Sequence, residues 1–268
     1  MKNDYQTIEN LRKISGTLPS EHPVKKNDFL SIANSIEVSL EDHNANPYKA
    51  MFATATATWG DNEYKQKWQM TSLDGRLEVV KAVLTDNTLP QAREMINFIF
   101  RVRGVPRWLF DIHTLSTSFA AFMSIGCRDN DKRDSDFIFT DVEIISDEEK
   151  QVFNSLKDLY ANVLDKGKGS WQAARVFLPQ AYQHSYHFGQ NLLSISSMKF
   201  DRKDLEKYQL KLLYFKIIDA ISDTFPLIGF YLNKILVQEN DRELLQQKIR
   251  NITFDSLDVK DKIYFEQQ

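Results

Sequence analysis

An alternation of apolar and polar side chains from Ile96 to Val105 constrains the fold of this chain more than any other segment. Apolar residues occupy every second position, at Ile96, Phe98, Phe100 and Val102. A period of two residues is the period of a β-strand with one buried face. Gly104 and Pro106 predict a turn directly afterwards. The segment therefore predicts a strand, which needs a sheet to cover its buried face.

Several other segments have the 3.6-residue periodicity of helices. Asp147–Leu164 is the clearest, because Ser146 and Glu149 form a capping-box sequence at its start, and its predicted buried stripe is Val152, Leu156, Leu159 and Val163. Further helices are predicted over residues 29–40, 48–59, 73–84, 107–122, 171–178 and 205–235, the last broken at Pro226. A second strand is predicted over residues 182–195. Because strands and helices do not alternate regularly, we predict an α+β fold with an antiparallel sheet flanked by helices.

Composition and charge argue against several classes of protein. The 268 residues carry a formal net charge of -3, which gives no general basic field for nucleic acid. The longest apolar runs, near Leu212–Ala220 and Phe225–Leu232, are too short to span a membrane. Cys127 is the single cysteine, which suits a reducing compartment, and the polar N-terminal sequence lacks the apolar region of a signal peptide. We expect a cytoplasmic protein with neither nucleic acid nor membrane as a partner.

Interruptions of the pattern predict three parts. Residues 1–46 are predicted to be an N-terminal helical extension, since prolines break it and Asn44–Pro47 ends it. Residues 47–240 contain the predicted sheet and most helices and form the main domain. Residues 241–268 are rich in charge and are predicted to be a peripheral C-terminal segment.

Three local motifs give weaker signals. Asp165–Ser170 reads DKGKGS, but a phosphate loop follows a strand and has a longer gap between its glycines, so a glycine stop after a helix is favoured. His184 and His187 would face opposite sides of a strand, which favours structural roles over metal binding. Cys127 has no evident histidine or aspartate partner in the sequence, so no protein nucleophile and no metal site are predicted.

Two longer motifs resemble those of flavin-dependent thymidylate synthases. Phe98–Arg107 reads FIFRVRGVPR and is similar to the family pattern F-x-F-R-I-x-G-V-S-R, which leads into a helix. Glu94 occupies the position of the glutamate in an upstream Glu-His pair, and Met95 replaces the histidine. Ala174–Pro179 reads ARVFLP and resembles the family pattern Ala-Arg-x-x-Leu-Pro. The resemblance extends over roughly residues 48–235, and the order and spacing of the motifs make it more specific than either motif alone.

The resemblance implies an enzyme that transfers a one-carbon unit from a folate to C5 of dUMP, with FAD and NADPH as cofactors. It also implies a homotetramer. By position in the motifs, the substrate-binding residues would be Arg175, Arg202, Ser124 and Arg128. The cofactor-binding residues would be Asn191, Glu94, Arg107 and His113. Arginine suits a nucleotide ligand, because its guanidinium binds phosphate through two hydrogen bonds and keeps its charge.

The chain departs from the family in the flavin-binding signature. Residues 114–128 read TLSTSFAAFMSIGCR and contain no Arg-His-Arg. The arginine and the second asparagine of the family's flavin-binding strand fall on Leu193 and Ser197. Each lost charged hydrogen bond costs about 1.5–3 kcal/mol. Three hypotheses stay open: a working enzyme on a pyrimidine nucleotide, a non-catalytic or flavin-independent nucleotide-binding protein with the same fold, and an unrelated helical protein with chance matches.

Overall fold

The computed structural model describes residues 29–57, 63–124, 131–140, 145–166, 171–198, 200, 205–236 and 239–267. Their strands are β1 Phe29–Ser31, β2 Glu37–His43, β3 Asn97–Pro106, β4 Ala120–Ser124, β5 Phe137–Phe139 and β6 Gln183–Asn191. Their helices are α1 Ile32–Ser35, α2 Pro47–Ala55, α3 Tyr64–Met70, α4 Leu73–Leu84, α5 Gln91–Glu94, α6 Arg107–Ser116, α7 Asp147–Asp165, α8 Trp171–Ala174, α9 Leu192–Ser196, α10 Leu205–Ser222, α11 Pro226–Leu232, α12 Glu239–Arg250 and α13 Val259–Glu266. None of these helices is long and apolar enough to cross a membrane.

The main sheet contains four strands in the order β2-β3-β6-β4, and β1 and β5 form a separate parallel pair. The four-stranded sheet is antiparallel and flanked by helices, which confirms the predicted α+β fold. The alternation of apolar and polar residues over Ile96–Val105 belongs to β3, in which Phe98, Phe100 and Val102 are fully buried. β6 alternates in the same way, so His184 is buried while His187 lies on the other, half-buried face.

Gly104 continues β3 and does not begin a turn, which corrects the prediction. Its φ of 67° lies in the left-handed region, where glycine carries no steric penalty. A Cβ at this position would lie 1.8 Å from the carbonyl oxygen of Ser35. Glycine is therefore required, because the backbone at Ser35 passes too close to this position for any side chain.

The contacts of the chain divide it into two compact units, and one boundary falls just before β2 while the others fall inside β3, α6, β4 and β6. Among the described residues, the first unit contains 29–36, 103–111 and 123–186. The second contains 37–102, 112–122 and 187–267.

The first unit is built around Phe137 of β5, which packs with Ala181 and Tyr182. The ring of Phe153, from α7, lies 5.4 Å from the ring of Phe137. Lys157 is also buried on this face of α7, and its Nζ donates to the carbonyl oxygen of Ser135. Burial lowers the pKa of Lys157 to about 8, although several aspartates act in the opposite direction.

The predicted buried face of α7 is wrong, although its start, its end and its capping box are confirmed. Val152 and Leu159 are 59% and 46% exposed, and the helix buries Lys157 and Tyr160 instead. The helix has apolar residues on more than one face. A lysine can take a core position because its aliphatic stem packs like a hydrophobic side chain.

The second unit packs α10 against α11 and β2, and α2 against α4. The C-terminal helix α13 belongs to this core, which differs from the predicted peripheral segment. Phe265 is fully buried and stacks on Tyr48 at 4.7 Å between ring centroids. Asp261 accepts hydrogen bonds from the Tyr48 hydroxyl and from the backbone N–H of Leu227.

Three further segments differ from the sequence-based expectation. Residues 29–40 form β1, α1 and most of β2 in place of one helix. The helix predicted over 107–122 ends at Ser116, and β4 follows it. The strand predicted over 182–195 ends at Asn191, whose side chain caps the short helix α9.

Candidate functional site

The second unit contains a cavity of about 610 Å³ at the end of β6, which we call the main cavity. A volume of this size is typical of small-molecule sites, which occupy roughly 300–1,000 Å³. The lining side chains come from α5, from the end of α6 and the segment after it, from the end of β6, from α9 and the segment after it, and from α10. They are Glu94, Ser116, Ser118, Phe119, Asn191, Leu193, Ser194, Ser197, Met198, Phe200 and Leu210.

A buried hydrogen-bond network fixes one wall of the main cavity. The Ser194 hydroxyl donates to the carbonyl oxygen of Ser118 and accepts from Nε2 of Gln190 at 2.9 Å. The Tyr214 hydroxyl donates to Oε1 of Gln190 at 3.2 Å and lies 3.3 Å from Oγ1 of Thr117. The segment after α6 is thus tied to β6, α9 and α10, so the serines on this wall have defined positions.

His113 lies behind this wall and is fully buried. Its ring makes edge contacts with the rings of Phe188 at 4.8 Å, Phe122 at 5.0 Å and Tyr214 at 5.5 Å. Burial lowers the pKa of His113 to about 3, so the ring is neutral at physiological pH. It is a packing residue of the second unit and does not line the cavity.

The polar groups that face the main cavity are hydroxyls, an amide and a carboxylate. Asn191 accepts from the backbone N–H of Ser194 at 2.8 Å through Oδ1, which leaves its amide N–H groups as donors toward a ligand. Ser116 and Ser118 add exposed hydroxyls, and Glu94 adds a carboxylate. Phe119 lies at the cavity with 87% of its surface exposed, so its ring is presented to solvent. Its backbone φ is 53°. The described lining therefore favours a ligand that is uncharged, carries hydrogen-bonding groups and has a planar part.

No protein-family model and no curated protein matches this sequence. Solved structures do match its fold. The UMP/dUMP methylase PolB from Streptomyces cacaoi, bound with 5-Br dUMP, superposes with a TM-score of 0.59 at 14% identity, over 77% of this chain and 97% of that chain. Thymidylate Synthase X from Helicobacter pylori, with FAD and dUMP, superposes with a TM-score of 0.53 at 13% identity, over 81% of this chain and 100% of that chain. This chain has the flavin-dependent thymidylate synthase fold.

Within this fold, the residues predicted to bind the cofactor do not all come together. Glu94 and Asn191 both line the main cavity, and so do Leu193 and Ser197, on which the resemblance places an arginine and an asparagine of the family. Arg107 belongs to the first unit, where its Nη2 pairs with Asp111 at 2.9 Å. With His113 buried behind the cavity wall, Glu94 and Asn191 are the predicted cofactor residues that share the main cavity.

The residues predicted to bind the substrate are only partly described. Arg175 begins a short 3₁₀ helix after α8, directly after the buried Ala174. Its side chain is exposed, and its guanidinium forms no ion pair with any described residue. Ser124 is exposed at the end of β4. Arg128 and Arg202 lie outside the described residues.

The described lining of the main cavity does not fit FAD. A flavin dinucleotide brings two phosphates, which bind to arginine, lysine or clustered backbone N–H donors. Glu94 is the one charged side chain among the described lining residues, and its sign is wrong for phosphate. The Arg-His-Arg signature was expected in residues 114–128, and that segment contributes Ser116, Ser118 and Phe119 to the cavity.

Sequence reasoning missed several lining residues that no motif marks. Ser116, Ser118 and Phe119 lie in residues 114–128, where the resemblance places the Arg-His-Arg signature. Their position in that segment is the signal that could have marked them as lining residues. Met198 and Leu210 carried no signal at all, because an apolar residue next to a ligand has the same pattern as an apolar residue in a core.

Proposed function

We propose that this chain is an enzyme that binds a pyrimidine nucleotide, dUMP or UMP, and transfers a one-carbon unit to C5 of its base. The observation that carries the proposal is the fold, which is shared over nearly the whole length of a UMP/dUMP methylase and of a thymidylate synthase with bound dUMP. Arg175 supplies a cation of the kind that a nucleotide phosphate needs. This is an inference from fold and chemistry together, since a fold alone supports many functions.

Arg175 is proposed to bind the nucleotide. An exposed arginine without an ion-pair partner among the described residues keeps all its donors for a ligand. Ala174 is fully buried on one side of it, and the N–H of Leu178 donates to the Arg175 carbonyl at 3.0 Å on the other. The backbone at Arg175 is therefore held in place, which suits a residue that positions a phosphate or a base.

The test is dUMP binding by isothermal titration to the wild type and to Arg175→Ala. Loss of a charged hydrogen bond should weaken binding by about 10- to 100-fold. Arg250→Ala is the matched control, because it removes an exposed arginine of α12 that does not line the main cavity. Equal dUMP affinity in the wild type and Arg175→Ala would remove Arg175 from the site, and no binding of dUMP or UMP to the wild type would end the proposal.

A second candidate function is nucleotide binding without one-carbon transfer. It is favoured by the absence of a cation among the described residues that line the main cavity, because the family's reaction relies on bound FAD. The absorption spectrum of the purified protein after addition of FAD separates the two. A flavin spectrum that shifts on addition of dUMP would support the enzyme, together with FAD, a folate donor and NADPH. Binding of dUMP without any flavin response would support the second candidate.

Assembly and location are further parts of the proposal. By resemblance we expect a homotetramer that acts in the cytoplasm. Light scattering coupled to size-exclusion chromatography measures the mass of the assembly directly, and a monomer mass would contradict the expected tetramer.

A further inference from the structure

A second, smaller cavity of about 270 Å³ lies next to the main cavity in the same unit. We call it the basic cavity. It is lined by Asp86, Ser196, Ser197, Met198, Lys234, Ile235, Arg242 and Gln246. Ser197 and Met198 line both cavities, so the two share a wall.

The charges around the basic cavity are unbalanced. Asp86 pairs with Arg93 and, at 3.3 Å, with Nζ of Lys234. Arg242 lies close by, because its Nε donates to the Lys234 carbonyl at 3.1 Å. Among the described residues of this cluster, three cations therefore surround one carboxylate.

The cations repel one another in the absence of a further anion. Burial lowers the pKa of Lys234, and although Tyr231 acts in the opposite direction, the positive charges of Arg93 and Arg242 add to the lowering. The Lys234 ammonium is held by the Tyr231 hydroxyl at 2.8 Å and lies 4.3 Å above the Tyr231 ring, so it cannot swing away into solvent without losing both contacts. An anion in this cavity would relieve the repulsion between cations that the fold holds together.

Donors for such an anion are present. The terminal nitrogens of Arg242 have no partner among the described residues, so its guanidinium can bind two oxygens of one group. Lys234 has three ammonium hydrogens, and two of them are directed to Asp86 and Tyr231. The amide of Gln246 adds a further donor.

We propose that the basic cavity is a binding site for a phosphate group, held by Arg242 and Lys234. Among the described residues, Arg93, Lys234 and Arg242 carry two positive charges more than Asp86 compensates, and a doubly charged phosphate matches them. Because the site shares a wall with the main cavity, the phosphate can belong to a ligand whose uncharged part lies in the main cavity. The proposal does not depend on the proposed reaction or on Arg175.

The experiment is isothermal titration calorimetry, in which inorganic phosphate is added to the protein at low ionic strength. The wild type should bind phosphate saturably. Arg242→Gln should weaken that binding by about tenfold or more, because it removes a charged, bidentate donor. Arg250→Gln is the matched control: it removes the same charge from the same helix at an exposed position and should leave phosphate binding unchanged.

Asp86→Asn is a second variant with the opposite expected effect. It removes the one carboxylate among the described residues that line this cavity, so phosphate should bind more tightly. Asparagine tolerates the φ of 62° at this position, and the backbone need not change. Damage to the fold cannot explain both tighter phosphate binding by Asp86→Asn and weaker phosphate binding by Arg242→Gln.

The source of the phosphate group is identified by comparing dUMP with deoxyuridine. If Arg242→Gln weakens the binding of dUMP and leaves the binding of deoxyuridine unchanged, the phosphate group belongs to a nucleotide. If the substitution weakens the binding of inorganic phosphate but not that of dUMP, the site takes free phosphate or another phosphorylated ligand. The proposal is overturned if the wild type shows no saturable phosphate binding, or if Arg242→Gln and Arg250→Gln weaken it equally.

Discussion

At the scale of single residues, His184 is the least satisfied buried polar side chain among the described residues of the first unit. Neither ring nitrogen has a hydrogen-bond partner among the described residues. The ring packs between Phe110 at 4.9 Å and Tyr182 at 6.0 Å. Burial, and then the charges of Arg107 and Lys132, lower the pKa of His184 to about 3. An unpaired polar group in such a place costs about 1–3 kcal/mol.

His184→Leu should therefore stabilise the protein by about 1 kcal/mol at pH 7.5, since leucine has a similar volume and no polar atoms. The gain should grow by about 2 kcal/mol at pH 5. The unfolded histidine takes up a proton below pH 6.5, whereas the folded one does so only near pH 3. The wild type accordingly loses stability as the pH falls through this window, and the variant does not. Urea unfolding at the two pH values measures both effects.

His187→Leu is the control for this substitution, because it removes a histidine from the same strand on its half-buried face. It should give no comparable gain at either pH. If His184→Leu were no more stable than the wild type at pH 5, the ring would have to be protonated or paired in the folded protein.

Sequence reasoning about site residues depended on motifs. Glu94 and Asn191, about 100 positions apart in the chain, were assigned together by resemblance and do line one cavity. Asp86, Lys234 and Arg242 surround the basic cavity without any motif. Their proximity depends on how the helices of the second unit pack, and nothing in the local sequence around them records it.

At the scale of elements, segments with a strong local signal were predicted well, including the helix α4 and the strand β3, whereas the strands β1 and β2 were not. α4 was predicted to the residue, and α7 to within one residue at its end. Residues 29–40 were taken for a helix because apolar residues recur every three or four positions. Val38 and Leu40 also alternate with exposed residues, and pairing with β3 in the sheet decides in favour of β2.

The capping box of α7 gives a prediction for this scale. Ser146 accepts from the N–H of Glu149 at 3.2 Å, and the Glu149 carboxylate accepts from the N–H of Ser146 at 2.8 Å. Ser146→Ala should lower the free energy of unfolding by about 0.5–2 kcal/mol, because it leaves a helix N–H without its partner. Thermal unfolding followed by circular dichroism is the measurement.

Ser155→Ala is the matched control in the same helix. The Ser155 hydroxyl donates to the Gln151 carbonyl, which is already engaged within the helix, so its loss should be neutral or slightly stabilising. A loss of stability in Ser155→Ala as large as that in Ser146→Ala would show that the hydroxyl of the cap has no special role.

At the scale of the whole molecule, the C-terminal helix α13 completes the core of the second unit. Nε1 of Trp68 donates to the Gln267 carbonyl at 2.7 Å, and the Arg76 guanidinium donates to the Phe265 carbonyl. These contacts join residues about 190 to 200 positions apart. The charged composition of the last thirty residues gave no sign of them, since the apolar contribution is concentrated in single residues such as Phe265.

Phe265→Ala should accordingly cost about 3–5 kcal/mol of unfolding free energy, the usual effect of removing a buried aromatic ring. The ring stacks on Tyr48 at 4.7 Å and on Trp68 at 6.2 Å, so its loss leaves a cavity between them. Ile263→Ala, in the same helix at a position 54% exposed, should change the free energy by no more than about 0.5 kcal/mol. Urea unfolding followed by tryptophan fluorescence compares the two. Equal, small effects would mean that α13 is peripheral after all, whereas the expected difference would make α13 a part of the core of the second unit.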